Sequence, residues 1–198
     1  MDALKEVFFK HGIELVCVKD KVQALEWAKK MIEPKMTIGL GGSTTVAQIG
    51  LLEYLTSLKN ITLFNQYEKG ISMQENTNRR KQGLLSDLYI CGTNALTRNG
   101  ELINADGSGN RVAAQIFGPK KVLIVTGRNK IVANKEEGLK RIVEISAPKN
   151  IERMNNVAKA MGKEPHYTME NIGNKWTCID GDEKGRTTIL LVDEDLGF

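Results

Sequence analysis

Hydrophobic and polar positions along the chain alternate between helical spacing and short continuous apolar runs. The stretch DKVQALEWAKKMI sets Val22, Leu25, Trp27, Ala28, Met31 and Ile32 at helical spacing, with Asp20 as a plausible N-cap and Pro34 as a stop. MTIGL is a short strand-like run that turns through GGSTT into VAQIGLLEYLTSL, a second helical pattern. ITLFN predicts a strand, residues 72–85 a polar-faced helix, and DLYICGT a further strand. Arg98-Asn99-Gly100-Glu101 then separates two alternating runs, and Asn-Gly there predicts a hairpin. GNRVAAQIF predicts a helix closed by Gly118-Pro119, and KVLIVTG a strand covered on both faces. NKEEGLKRIVEI supplies one more helix, and IERMNNVAKAM another after Pro148. Residues 163–184 read as polar loop, and TTILLV as the last strand.

Strands alternating with helices predict βαβ units: a three-layer α/β architecture with a mostly parallel sheet and helices on both faces. At 198 residues the expectation is one domain, 1–198, in which residues 1–18 form an N-terminal helical lead-in.

Composition narrows the classes without naming a partner. Hydrophobic content of 41% and charged content of 26% are globular values, and no apolar run is long enough to span a bilayer. The net charge is only +4, aromatics are 6%, and Arg79-Arg80-Lys81 is the one tight basic cluster, so neither nucleic acid nor membrane is an expected partner. Cys17, Cys91 and Cys178 are far apart and form no CxxC pair, which leaves no metal or cluster signature; no metal or cofactor is expected. Scattered thiols behind an N-terminus that lacks the pattern of a secretory signal point to the cytoplasm. Met31, Met36, Met154 and Met161 fall on core-like faces, and His11 and His166 read as surface residues.

The chemistry-bearing residues sit where strands hand over to helices, the usual location of ligands on a parallel sheet. In the first loop Gly41 and Gly42 let backbone approach a ligand, and Ser43 and Thr44 offer hydroxyls at a helix start; a tight turn with an ordinary N-cap explains the same residues equally well. In the second, Thr93 and Asn94 follow the DLYIC strand. The third, NADGSGNR, supplies Asn104, Asp106, Gly107, Gly109, Asn110 and Arg111, and Lys130 lies further on in GRNK. Arg111 and Lys130 could neutralise an anion, a phosphate or carboxylate. Asp106 is the candidate acid/base group; an Asx-rich turn accounts for the third loop without a ligand.

Taken in order, GGSTT, the block GTNALTRNGELINADGSGNRVAAQIFGPKKVLIVTGRNKIV and the closing LLVDEDLGF resemble the LUD domain of lactate-utilization proteins. The resemblance covers the chain from about residue 20 to its end. It implies a Rossmann-like fold of the ribose-5-phosphate isomerase and coenzyme A transferase-like type, and a role in oxidation of L-lactate to pyruvate beside iron–sulfur partner proteins that carry the electrons. The glycine-rich Ser-Thr loop of ribose-5-phosphate isomerase is matched by Gly41, Gly42, Ser43 and Thr44. Methylthioribose-1-phosphate isomerase has a similar block, but its aspartate is replaced here by Asn94 and its Asn-Lys by Asn104 and Ala105. The expected function is a binding component without its own redox centre. The alternative is a stand-alone isomerase or transferase acting on a sugar phosphate or acyl-coenzyme A. Folds of this group often form homodimers, although no segment marks an interface.

Overall fold

Two β-sheets organise the chain in the computed structural model, which describes residues 1–198. The first half runs α1 (Asp2–Lys10), β1 (Glu14–Val18), α2 (Lys21–Lys29), β2 (Thr37–Leu40), α3 (Thr44–Gln48), α4 (Leu51–Ser57), β3 (Thr62–Phe64), α5 (Met73–Gly83) and β4 (Leu88–Cys91). The second half runs β5 (Ala95–Thr97), β6 (Leu102–Asp106), α6 (Asn110–Ile116), β7 (Lys121–Gly127), β8 (Ile131–Val132), α7 (Lys135–Arg141), α8 (Ala147–Ala160), β9 (Lys175–Ile179) and β10 (Thr187–Val192). The main sheet has six parallel strands in the order β1-β10-β7-β4-β2-β3.

Alternation along the central strands decides both cores. Ile38, Leu40, Leu88, Ile90, Leu123, Val125, Leu190 and Val192 bury against α2, α3 and α4 through Ala24, Ala28, Val46, Leu51 and Leu55. The intervening Tyr89, Cys91, Val122, Ile124, Ile189 and Leu191 bury on the other face against Leu4 and Phe8 of α1 and Ala114 of α6. Each fully buried Leu, Ile or Val contributes about 1.5–3 kcal/mol, so a sheet covered on both faces is where most of the stability resides. Gly39 lets α5 dock closely on β2, because a Cβ there would lie 2.8 Å from Gly83 Cα. No helix is long and apolar enough to cross a membrane.

Several elements differ from the sequence expectation. Residues 1–18 are a helix followed by a strand: Gly12 turns the chain at φ +78, and β1 joins the sheet edge beside β10 with Leu15 buried. The helical pattern after GGSTT breaks into α3 and α4 at Gly50, whose φ of +77 no helical residue adopts. Val22 is exposed although it lies on the apolar stripe of α2. α7 runs into α8 through a π-helical turn, Ile142–Ser146, with Pro148 in the first turn of α8. Met161, one residue beyond α8, is exposed. The polar segment 163–184 contains β9, which pairs antiparallel with β6 and completes a second sheet, β8-β5-β6-β9. That small sheet packs Leu96 and Leu102 on the second face of the main sheet, so helices share that face with strands.

Candidate functional site

The carboxyl ends of β2, β4 and β7, which are neighbours in the main sheet, open onto one cavity of about 120 Å³. Each contributes the residues that follow it, and the end of β6 closes a further side. After β2, Ser43 caps α3, its Oγ accepting from the Val46 N–H at 3.2 Å, and Gly42 and Thr44 also line the cavity. After β4, Gly92 passes so close to Ser43 that a Cβ would sit 2.7 Å from its Oγ.

A buried amide network fixes the second loop. Asn104 Oδ1 accepts from the Thr93 hydroxyl at 3.0 Å and from the Asn94 N–H at 3.1 Å, while its Nδ2 donates to Gln115 Oε1 at 3.0 Å. Asn94 Oδ1 in turn accepts from the Ala105 N–H at 3.0 Å and from Arg111 Nη2 at 2.9 Å. Asp106 accepts on Oδ2 from the Arg111 and Val112 N–H groups at 3.2 and 3.4 Å, so it holds the start of α6, and Arg111 Nε lies 3.7 Å from the same oxygen.

The charges around this network do not balance. Arg111, Lys130 and Arg141 are all buried, at 8%, 3% and 7% exposure. Only Arg111 has a carboxylate within salt-bridge distance, Asp106. Lys130 follows β7 in a 3₁₀ turn and reaches Thr45 Oγ1 at 3.2 Å and the Thr93 carbonyl at 3.1 Å. Arg141 donates to the carbonyls of Asn129 and Asn94 and to Ser146 Oγ. Arg153, on α8 at the cavity wall, donates only to Asn150 Oδ1 of its own helix, at 2.7 and 3.1 Å. Burial first, and then the positive charge of Arg141 and Arg111, pushes the Lys130 amine down to about 7. Burial pushes the Cys91 thiol up to about 11, which keeps it unreactive behind Gly41.

Of the residues singled out from the sequence, Gly42, Ser43, Thr44, Thr93, Asn94, Asp106, Gly107, Arg111 and Lys130 line this one cavity. Gly41, Asn104, Gly109 and Asn110 do not. Gly41 packs on Cys91, Asn104 braces the network from behind, Gly109 turns the chain into α6 at φ +92, and Asn110 donates to the Tyr89 hydroxyl at 2.9 Å. Sequence reasoning missed Ser146, Asn150 and Arg153, which line the cavity, and Arg141, which donates to Ser146 Oγ from behind. No signal in the sequence marked them: Pro148 separates two helical patterns, and the structure joins these through the π-turn Ile142–Ser146. No group of three or more His, Cys, Asp or Glu side chains is placed to hold a metal ion.

The family model of the LUD domain matches residues 1–192. No curated protein matches the sequence. Among solved structures, a DUF162 family protein from Deinococcus radiodurans is similar at 15% identity and a TM-score of 0.53, covering 98% of this chain and 95% of that one. Ribose 5-phosphate isomerase from Plasmodium falciparum is similar at 16% identity and a TM-score of 0.42, covering 97% of this chain and 94% of that one.

Proposed function

The chain belongs to the LUD-domain family, and we propose that it binds a small carboxylate or phosphate in this cavity and acts in the cytoplasm, in lactate utilization, as a component without its own redox centre. One observation carries the binding: Arg111, Lys130 and Arg153 line the cavity with Arg141 beside it, and Asp106 is the only carboxylate within salt-bridge distance of any of them. Buried cations are costly unless paired, and an entering anion supplies the missing partner. The hydroxyls of Ser43 and Thr44 and the wall of Asn94 and Asn150 add polar contacts that suit carboxylate or phosphate oxygens. Support for the lactate role comes from the family alone, and electrons from lactate would then pass to iron–sulfur partner proteins. Asp106 as the acid/base group of a stand-alone isomerase or transferase has less support, because its Oδ2 is already occupied by two backbone donors.

A thermal-shift and calorimetric series tests the binding: L-lactate, pyruvate, oxamate, phosphate and ribose 5-phosphate against neutral ribose, at constant ionic strength. A bound anion at about 100 times its dissociation constant should add about 2.7 kcal/mol of stability. Affinity for an anion without a ketone or aldehyde carbonyl should weaken as pH rises through 7, where Lys130 loses its proton. A flat response to every anion would overturn the reading of the cavity. Undiminished growth on lactate after deletion of the gene would overturn the pathway.

A further inference from the structure

We propose that Lys130 Nζ is a nucleophile that condenses with the carbonyl of a small carbonyl compound whose carboxylate or phosphate is held by Arg111 and Arg153. The inference rests on the anion-binding reading above and names the class of ligand.

The hydrogen bonds of Lys130 carry it. Nζ has two partners, Thr45 Oγ1 at 3.2 Å and the Thr93 carbonyl at 3.1 Å. A neutral amine has two N–H groups and one lone pair; an ammonium has three N–H groups. Two acceptors therefore saturate the amine and leave the third N–H of an ammonium without a protein partner. Thr45 is fully buried, and Gly197 also lies against the nitrogen, where a Cβ would sit 3.0 Å from Nζ, so the side of Lys130 that remains is the one lining the cavity. There the ammonium would donate to an anion, and the amine would present its lone pair to an electrophile. Burial, and then the adjacent cations Arg141 and Arg111, favour the amine near neutral pH. A lysine at about 7 is roughly a thousandfold richer in amine at neutral pH than an exposed one near 10.4.

The step balances without any oxidant or reductant. The nitrogen lone pair forms a C–N bond to the carbonyl carbon, and the C=O pair moves to oxygen, which takes a proton that the nitrogen releases. The carbinolamine then gives up its second N–H proton and its hydroxyl as water. The sum is amine plus carbonyl to imine plus water. An anionic group on the same small molecule would offset the charge of Arg111 and Arg153 while its carbonyl carbon meets Nζ.

Borohydride trapping tests this on the full chain. Pyruvate, glyoxylate and glycolaldehyde phosphate are each incubated with the protein and reduced, followed by intact mass and peptide mapping; the three arms separate carboxylate from phosphate carriers. A single adduct per chain is expected, mapping to Lys130, half-maximal near pH 7, suppressed by oxamate, and absent from Lys130→Arg. If Lys130→Arg does not fold, the peptide map and the oxamate competition on the native chain decide alone. Adducts spread over surface lysines, or none at Lys130 while oxamate still binds by calorimetry, would overturn the imine and leave the anion site standing. Failure of oxamate and of all three carbonyl compounds to bind would overturn both.

Discussion

Replacing Lys130 by Met should change the stability of the unliganded chain in a manner that depends on pH. In the folded chain the amine titrates at about 7, against 10.5 for an ordinary lysine. Between those values the unfolded chain holds one proton more than the folded one, so wild-type stability climbs by about 1.4 kcal/mol per pH unit as pH rises. The stabilising contribution is fully present above the unfolded value and is lost as pH falls toward the folded one. Met fills a similar volume and does not titrate. It abandons the hydrogen bonds to Thr45 Oγ1 and the Thr93 carbonyl, a loss of roughly 2 kcal/mol when compared with the neutral amine. The wild type should therefore be ahead of Lys130→Met at strongly alkaline pH, and the two should cross at roughly pH 9. By pH 7 the variant should lead by roughly 2 kcal/mol. Urea unfolding of both chains from pH 6.5 to 10, in buffers without phosphate or carboxylate, measures the difference directly. All other titrating groups are common to the two proteins and cancel in the difference. A stability difference independent of pH would refute the claim that Lys130 is buried without a compensating negative charge.

Two further substitutions separate binding from folding. Arg153→Gln should lower the affinity for a bound anion by about tenfold, the loss of one charge-assisted hydrogen bond, with stability changed by less than about 0.5 kcal/mol, because the side chain hydrogen-bonds only to Asn150 of its own helix; calorimetry and urea unfolding read the two effects. Asn104→Ala should cost about 3 kcal/mol in urea unfolding, since it strands the Asn94 N–H and Gln115 Oε1 away from water, and a loss under about 1 kcal/mol would show that the amide network relaxes around the gap.

What the amino-acid pattern discloses depends on where burial comes from. KVLIVTG and TTILLV are apolar throughout because β7 and β10 lie between two covered faces, and such runs announce themselves. β9 does not, because KWTCI is half exposed and owes its extended form to pairing with β6 rather than to burial of its own side chains. β1 escaped for a related reason: the five residues of ELVCV directly follow a nine-residue helix, and only their pairing with the distant β10 reveals them as the sheet edge.

The cavity divides along the same line. Gly42, Ser43, Thr93, Asn94, Asp106 and Lys130 were legible because polar residues at strand ends have few uses besides turns and ligands. Arg153 and Asn150 were not, since polar positions on an amphipathic helix look alike whether they face solvent or a pocket. Asn104 shows the converse: it has the chemistry of a ligand contact, yet its amide is consumed inside the protein and braces the loop that carries Thr93 and Asn94. That consumption bears on Lys130. Because the network ties down the Thr93–Asn94 backbone, the carbonyl that accepts from Nζ is fixed before any ligand arrives, and so is the open side of the nitrogen. The arrangement is preorganised for whatever meets that nitrogen, and under the proposed reading the buried cations around it select an anionic newcomer.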